Sequence, residues 1–303
     1  MESKPLVSII MNCYNSDTYL REAINSIYNQ SYENWEIIFW DNGSTDASAN
    51  IAKSYDGKLK YFLAEETTPL GEARNLAMKK ASGKYIAFLD CDDIYLEKKL
   101  ELQVTMMEKA DFAMCYGGAI IIDESSSVIN KEPARYNSGD VFPGLLKRYE
   151  INMQSVMLRK SILDETGLTF STKMKYCPDH NLFMEIASRF KVGVINQYIV
   201  KYRIVKESLS KKTMHLVSEE IKLTLDAILN RAPEMMMLYK KEFNKAYAKL
   251  NYYDAINYIS LGKFSAARKT MREIIMQRWE YLALYILLFF PISNQLLLRL
   301  LKR

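Results

Sequence analysis

Short apolar runs alternate with amphipathic segments over the first 110 residues. The apolar runs are rich in β-branched and aromatic residues and predict strands over residues 5–11, 35–40, 60–63 and 85–89. The segments between them have helical spacing and predict helices over residues 17–29, 44–54 and 70–80. This alternation predicts an α/β fold with a parallel sheet, in which ligands bind beyond the carboxyl ends of the strands.

The pattern changes after residue 111. Strands are predicted at 112–122, 154–158 and 192–200, with a polar segment through residue 137 and helices at 142–149 and 179–189. From residue 214 onward only helical patterns remain, at 214–229, 235–259 and 265–277. We therefore expect an α/β domain over residues 1–210 and a helical C-terminal region over residues 211–303.

The composition is that of a folded protein, because 49% of the residues are hydrophobic and 25% are charged. No secretory signal is expected, since the first residues run directly into a strand pattern. The cysteines show no C-x-x-C spacing, which disfavours a zinc site or a disulfide framework and predicts reduced thiols in the cytoplasm. They are Cys13, Cys91, Cys115 and Cys177.

Charge is distributed unevenly along the chain. Residues 211–303 contain 16 Lys and Arg against 8 Asp and Glu, a net charge of +8, so the total of +5 leaves −3 for residues 1–210. A basic region of this kind fits either nucleic acid or an anionic membrane surface. Its basic residues are scattered among apolar faces and are not interleaved with exposed aromatics, so no nucleic-acid partner is expected.

An apolar run of 11 residues, 282–292, lies near the C-terminus. It is too short to span a bilayer, which takes about 20 residues. Basic ends and the aromatic residues Trp279, Tyr281 and Tyr285 are typical of a helix that lies in the membrane interface. We expect peripheral contact through residues 279–303 with the inner face of the cytoplasmic membrane. A core helix or a homo-oligomer interface is the alternative.

Polar clusters follow three of the predicted strands, at residues 12–15, 41–46 and 90–93. Any one of them fits an ordinary turn, but three at the same edge of a sheet indicate a binding crevice. In the third cluster, carboxylates at 90, 92 and 93 follow a buried strand. An isolated Asp-x-Asp would more simply be a helix N-cap, whereas clustered oxygen ligands suit Mg²⁺ or Mn²⁺, which also bind diphosphates.

Three further side chains near these strand ends have chemistry suited to a nucleotide. Tyr14 offers a flat face on which a base can stack, and Asp41 can accept hydrogen bonds from a nucleobase or ribose. Alone, Tyr14 would be interpreted as a half-buried tyrosine and Asp41 as a helix N-cap. Arg74 can form a structural ion pair with the aspartates, bind phosphate, or do both.

The segments VSIIMNCYN, WEIIFWDNGSTD and GEARNLAMKKASGKYIAFLDCDD resemble, in order and spacing, the family 2 glycosyltransferases over residues 5–210. The resemblance implies a GT-A fold, a nucleotide-sugar donor, with a UDP-sugar expected, a divalent cation (Mn²⁺ or Mg²⁺) and transfer with inversion at the anomeric carbon. It also implies that Asp90 and Asp92 lie at the ribose and the metal. The nucleotide-sugar site implied in this way comprises Asn12, Tyr14, Asp41, Arg74, Asp90, Cys91 and Asp92.

Inverting transfer needs a base to accept the proton of the acceptor hydroxyl. Asp179, at the start of a predicted helix, matches the catalytic aspartate of the family, although Pro178 stands where the family more often has an acidic residue. An N-cap role is the alternative. The family's Tyr-Arg-x-His motif, in which the histidine binds metal, ends here in Val205. Either Asp92, diphosphate and water complete the cation site, or a lysine at 206, 211 or 212 neutralises the leaving group.

The expected function is therefore transfer of a sugar to a hydroxyl of a glycan or lipid-linked glycan acceptor in surface-polysaccharide synthesis. Two other functions remain open from the sequence. A catalytically impaired nucleotide-sugar-binding protein would fit the departures at Pro178 and Val205. A basic nucleic-acid-binding protein would use residues 211–303.

Overall fold

The computed structural model describes residues 4–206 and 213–290. Within them, one mixed sheet has the strand order β3-β2-β1-β4-β8-β6-β9-β5, and β7 pairs with β6. The strands are β1 Val7–Cys13, β2 Trp35–Asp41, β3 Leu59–Leu63, β4 Tyr85–Phe88, β5 Ile94–Tyr95, β6 Met114–Ile122, β7 Val128–Glu132, β8 Met157–Arg159 and β9 Val192–Arg203.

Helices connect these strands and make up the C-terminal part. Those within residues 4–206 are α1 Asp17–Tyr28, α2 Ser48–Lys53, α3 Leu70–Met78, α4 Lys99–Lys109, α5 Phe142–Lys147, α6 Lys160–Thr166 and α7 Pro178–Ala187. Those within residues 213–290 are α8 Val217–Arg231, α9 Met235–Leu238, α10 Lys240–Ser260, α11 Phe264–Arg272 and α12 Trp279–Leu287.

Strands β3, β2, β1 and β4 form the parallel part of the sheet, as the alternation of apolar runs predicts. The last residues of β1 and β2, Cys13 and Asp41, are register partners, and Ile10 of β1 pairs with Phe88 of β4. All seven residues of β2 are buried, because both faces of this central strand are covered. Consequently the carboxyl ends of β1, β2 and β4 meet at one edge.

The other part of the sheet is mixed, which the sequence analysis did not predict. Strand β8 runs antiparallel to both β4 and β6, while β6 and β9 are parallel. The polar segment before residue 137 contains β7, whose five residues are all exposed and so lack an apolar face that would signal a strand. The strand predicted at 154–158 begins instead with a 3₁₀ turn, Met153–Ser155.

The chain folds into two compact units, Met1–Phe142 with Tyr149–Ser208, and Pro143–Arg148 with Leu209–Arg303. In the first unit, α3 packs on β1 and β2, and α4 packs on β6 and β9. In the second unit, α10 packs against α8 and α11, and α11 packs against α12. The helix predicted at 235–259 is interrupted at Tyr239, whose φ of −124° is not helical. No helix within the described ranges is long and apolar enough to cross a membrane.

Candidate active site

The loops after β1 and β2 are joined by hydrogen bonds. The Asn15 N–H donates to Ser44 Oγ at 3.1 Å, and Asn15 Oδ1 accepts from the Thr45 N–H at 2.7 Å. Asn15 has a φ of +48°, a left-handed conformation that asparagine tolerates better than most residues. This pair of bonds fixes the chain beside Tyr14, whose side chain is 55% exposed. Tyr14 therefore presents its ring to solvent at the edge of the sheet.

Asp41 is completely buried at the end of β2. Its Oδ1 accepts from the Ser44 N–H at 2.7 Å, and its Oδ2 accepts from the Tyr61 hydroxyl at 2.6 Å. Burial and the Asp41 carboxylate raise the pKa of Tyr61, so that phenol stays protonated as the donor. In this structure Asp41 organises the loop after β2, and its direct contact with a nucleotide stays a prediction.

Asn12 lies one strand away, near the end of β1. Its backbone carbonyl accepts from the Cys91 Sγ at 3.4 Å, which links β1 to the loop after β4. Its side-chain Nδ2 is buried, and none of the described residues accepts a hydrogen bond from it. Because buried polar groups are nearly always paired, an amide donor of this kind favours a ligand at the site.

Asp90 is held on both sides. Arg74 Nη2 lies 3.2 Å from its Oδ1, and Gln154 Nε2 donates to its Oδ2 at 2.7 Å. Arg74 is buried, and its guanidinium lies 5.5 Å from the centre of the Phe170 ring. Gln154 was missed by the sequence analysis, because nothing near it in the sequence shows that its 3₁₀ turn faces the end of β4.

Asp92 and Asp93 both lie next to other negatively charged carboxylates. Burial, and then the neighbouring charge of Asp90, raise the pKa of Asp92 to about 6. Asp93 is fully buried, and its Oδ1 accepts a hydrogen bond from the Arg203 N–H at 2.7 Å. Burial, and then the charges of Asp92 and Asp90, raise the pKa of Asp93 well above its usual range. The loop therefore carries more negative charge than its surroundings compensate.

A divalent cation fits this donor set. Asp90 and Asp92 offer carboxylate oxygens, which suit Mg²⁺ or Mn²⁺, and a cation would relieve their repulsion. Within residues 4–206 and 213–290, no three His, Cys, Asp or Glu residues are placed to hold a metal, so phosphate and water would have to supply the other ligands. Lys206 Nζ lies 3.9 Å from Glu124, while Lys211 and Lys212 are outside the described residues.

Asp179 is the second residue of α7, which begins at Pro178 with Cys177 as its N-cap. The alternative role of Asp179 as an N-cap is therefore wrong. Phe183 follows Asp179 by about one helical turn, and its ring centre lies 6.4 Å from that of Phe88, two residues before Asp90. This packing brings the start of α7 towards the acidic loop, residues 90–93 after β4.

The segment before α7 is fastened to α3. Asn75 makes two hydrogen bonds with the backbone of Phe170, both at 2.9 Å. At the start of α3, a Cβ on Gly71 would lie 2.5 Å from the Ser171 carbonyl oxygen, so only glycine permits this approach. Arg74, on the same helix, pairs with Asp90, and its charge also acts on Asp179.

The electrostatics of Asp179 agree with this proximity. Burial raises the pKa of Asp179, and the charge of Asp90 raises it further. The Arg74 guanidinium and the first backbone N–H groups of α7 act in the opposite direction, but the net shift is upward. The structure therefore brings Arg74, Asp90 and Asp179 together from three separate parts of the chain.

Comparison with known proteins identifies the family. The family model "Glycosyl transferase family 2" matches residues 8–167. The UDP-Glc:alpha-D-GlcNAc-diphosphoundecaprenol beta-1,3-glucosyltransferase WfgD of Escherichia coli is 34% identical over 211 residues, which cover 68% of this chain and 79% of that protein. An uncharacterized glycosyltransferase of Rickettsia bellii is 32% identical over 228 residues, 75% of this chain but only 33% of the relative's length.

A solved structure shows the same fold. The mannosyltransferase PcManGT from Pyrobaculum calidifontis, in complex with GDP-Man and Mn²⁺, superposes with a TM-score of 0.55 at 16% identity, covering 97% of this chain and 87% of that one. The GT-A fold that the sequence resemblance implied is thus confirmed, with a helical C-terminal region. The chain belongs to glycosyl transferase family 2.

Proposed function

We propose that the protein is an inverting glycosyltransferase that moves a sugar from a UDP-sugar to a hydroxyl of a glycan or lipid-linked glycan in surface-polysaccharide synthesis. The observation that carries the proposal is the position of buried Arg74, 3.2 Å from Asp90 and within electrostatic reach of Asp179. The name of the E. coli relative supports the donor and acceptor classes, since it specifies UDP-Glc and a diphosphoundecaprenol-linked sugar.

Asp179 is the proposed base. Its carboxylate would take the proton of the acceptor hydroxyl while that oxygen attacks the anomeric carbon from the face opposite the departing diphosphate. The raised pKa of Asp179 makes it a stronger base than an ordinary aspartate, while Arg74 and the N-terminus of α7 favour its ionised form. Arg74 would thus serve both carboxylates, holding Asp90 on the donor side and Asp179 on the acceptor side.

The donor would bind along the carboxyl ends of β1, β2 and β4. The exposed ring of Tyr14 can stack on the base, which is worth about 1–3 kcal/mol. The buried Nδ2 of Asn12 is a donor for the nucleotide, and Asp41 supports the loop beside it. Cys91 lies between the two aspartates, where its thiol is bonded to the backbone of β1.

Asp90 and Asp92 would hold Mn²⁺ or Mg²⁺. When bound, such a cation neutralises the charge that develops on the leaving diphosphate. The mannosyltransferase of similar fold was solved with Mn²⁺ and a nucleotide-sugar, which supports the choice of ion. With Val205 in place of a histidine, we expect cation binding to depend strongly on the diphosphate of the donor.

A transfer assay tests this function. UDP-glucose, UDP-galactose, UDP-N-acetylglucosamine and GDP-mannose are each incubated with a GlcNAc-diphosphate-lipid, with Mn²⁺ or with EDTA. We expect UDP release that requires the acceptor and Mn²⁺, and a β-linkage formed from an α-linked donor. If no nucleotide or nucleotide-sugar raises the melting temperature in the presence of Mn²⁺, the protein does not bind this class of donor and the proposal is wrong.

We also propose that α12 contacts an anionic membrane surface, which would place the protein at the inner face of the cytoplasmic membrane. Trp279, which is 76% exposed, lies on one face of α12 with the exposed residues Leu282 and Ile286, and Phe289, two residues after the helix ends, is 61% exposed. The opposite face, including Leu284, is buried in the core of the helical unit. The net charge of +8 over residues 211–303 complements anionic lipid. Residues 291–303 of the predicted segment lie outside the described residues.

Vesicle flotation separates this role from the alternatives. The wild type should float with vesicles rich in phosphatidylglycerol and not with phosphatidylcholine vesicles. Replacing Trp279 and Phe289 together by serine should abolish flotation, whereas Met237→Ser, an equally exposed apolar position on α9, should not. A lipid-independent dimer in light scattering that the double variant dissolves would instead assign this face to a second copy of the chain.

A further inference from the structure

Arg203, at the end of β9, is a buried cationic residue that contacts the acidic loop. Its side chain is completely inaccessible, and it lies 4.2 Å from the centre of the Tyr19 ring. Its hydrogen bonds run from Nε to the Asp92 carbonyl at 2.9 Å, from Nη1 to Ser126 Oγ at 2.8 Å and the Asp123 carbonyl at 3.2 Å, and from Nη2 to Glu22 Oε2 at 2.6 Å.

Two of the contacts of Arg203 fix the acidic loop directly. The guanidinium holds the main chain at Asp92, and the backbone N–H of Arg203 holds the carboxylate of Asp93. The rest of the loop is held by the Asp93 N–H to Asp90 carbonyl bond at 3.2 Å, by the Cys91 thiol, and by Arg74 and Gln154 on the carboxylate of Asp90. The direction in which the side chain of Asp92 leaves the loop is therefore set largely by Arg203.

The remaining contacts of Arg203 anchor it to rigid surroundings. Glu22 on α1 supplies its ion pair, and the turn between β6 and β7 supplies two oxygens, one of them from Ser126, which has a φ of +66°. Lysine has a single ammonium group and cannot reproduce this fork of donors in three directions. The buried positive charge also partly offsets the repulsion between Asp92, Asp93 and Asp90.

We propose that Arg203 is a positioning residue that orients Asp92 for cation-dependent donor binding, without touching the donor itself. This inference rests on the proposed function, since it assigns Asp92 to the donor side. Arg203 contacts neither Arg74 nor Asp179 through the hydrogen bonds described above. Its loss should therefore weaken the binding of UDP with Mn²⁺ and raise the donor KM, while kcat at saturating donor changes little.

Arg159 on β8 provides a matched control. Its side chain also bonds backbone carbonyls, of Phe112 at 3.1 Å and Met107 at 2.8 Å, and its guanidinium lies 5.5 Å from the centre of the Tyr85 ring. Tyr85 is the first residue of β4, at the opposite end of the strand from the acidic loop. Arg159→Lys should thus lower the melting temperature much as Arg203→Lys does, without the effect on the donor.

The experiment measures UDP binding as a function of Mn²⁺, and donor KM and kcat, for Arg203→Lys and Arg159→Lys. Residues that support a metal site from outside typically contribute about 10- to 100-fold in metal affinity. We expect Arg203→Lys to raise the half-saturating Mn²⁺ concentration and the donor KM about tenfold, with kcat within about threefold of the wild type. Equal, small shifts for the two variants would show that Arg203 is merely structural and would overturn the inference.

A second variant keeps the inference testable if Arg203→Lys does not fold. Glu22 reaches the acidic loop through Arg203, and its side chain is 47% exposed, so Glu22→Gln should fold. It should raise the half-saturating Mn²⁺ concentration in the same direction, by about twofold to threefold, and no change would count against Arg203. Because binding is measured with UDP, a wild type that binds UDP but transfers no sugar contradicts the proposed function alone. A wild type that does not bind UDP with Mn²⁺ contradicts both.

Discussion

The acidic loop, residues 90–93, and the start of α7 both bring carboxylates to the same edge of the sheet, but they hold charge in different ways. In the loop, burial and the charge of Asp90 raise the pKa of Asp92, and burial and the charges of Asp92 and Asp90 raise the pKa of Asp93, while Arg203 opposes both shifts. At the start of α7, burial also raises the pKa of Asp179, yet Arg74 and the helix N-terminus stabilise part of its negative charge. The pKa values of all three groups remain raised, but the loop holds several neighbouring carboxylates whereas the start of α7 holds one.

This difference suggests a division of labour. A region in which neighbouring carboxylates repel one another gains most from a bound cation, so the loop suits the donor diphosphate and its metal. A single carboxylate whose pKa is raised but which has a cationic neighbour can stay ionised and still accept a proton, so the start of α7 suits the acceptor. Arg74 joins the two, since it lies against Asp90 and acts on Asp179.

The largest effect is expected for Asp179→Asn, which keeps the shape of the side chain but removes the base. Transfer should fall by about 10²- to 10⁴-fold, the usual contribution of general-base catalysis. The affinity for UDP-sugar with Mn²⁺ should change by less than about twofold, because the base acts on the acceptor. Single-turnover transfer rates and calorimetric donor binding measure the two quantities.

Asp164→Asn is the control for that substitution. Asp164 is an exposed carboxylate on α6 whose only described ion pair is with Lys160, at 2.8 Å. The Asp164→Asn substitution should leave both sugar transfer and donor binding unchanged. If Asp179→Asn weakened donor binding as much as transfer, the two regions would not be functionally separate, and the contrast between them would fail.

Asp92→Ala should show the opposite pattern, with a large effect on the donor. Outer residues of metal sites already contribute about 10- to 100-fold in metal affinity, so removal of a proposed ligand should cost about 100-fold or more in half-saturating Mn²⁺. Binding of UDP in EDTA should differ little between the variant and the wild type. If UDP binding in the variant kept the Mn²⁺ dependence of the wild type, Asp92 would not be a cation ligand.

The sequence predicts the acidic loop well because its residues are contiguous. Asp90, Asp92 and Asp93 follow a buried strand directly, and the parallel pairing of β1, β2 and β4 then brings residues 12–15 and 41–46 beside them. These predictions need only local patterns and the geometry of parallel sheets. The family resemblance and the GT-A fold are confirmed for the same reason, since their motifs lie in this part of the chain.

The helical pattern predicted α7 within one residue of its start, but the role of Asp179 came only through the resemblance, because its place at the site depends on contacts between distant residues. Asn75 and Phe170 are 95 positions apart, and Gln154 reaches Asp90 across 64 positions. No local sequence pattern predicts contacts between residues this far apart in the chain. The exposed strand β7 was missed for a related reason, since its pairing with β6 does not bury an apolar face.

A smaller effect concerns Lys99, a fully buried lysine beneath the loop. Its Nζ donates to Gln103 Oε1 at 2.6 Å and lies 4.0 Å from the centre of the Tyr95 ring, whose hydroxyl bonds the Phe88 carbonyl. Burial lowers the pKa of Lys99 to about 7, and the nearby Cys115 only partly opposes this shift. The unfolded chain therefore binds this proton more readily than the folded protein between about pH 7 and pH 10.5.

Over that range, wild-type stability should rise with pH by up to about 1.4 kcal/mol per pH unit from this group. Lys99→Met removes the dependence, so the gain in melting temperature of the variant over the wild type should be larger at pH 6.5 than at pH 9.5. Binding of UDP with Mn²⁺ should not change, because the described contacts of cationic side chains with the loop are made by Arg74 and Arg203, and not by Lys99. Weaker UDP binding by Lys99→Met would show that the buried Lys99 also supports the acidic loop. The comparison of the two regions would then have to include this part of the core.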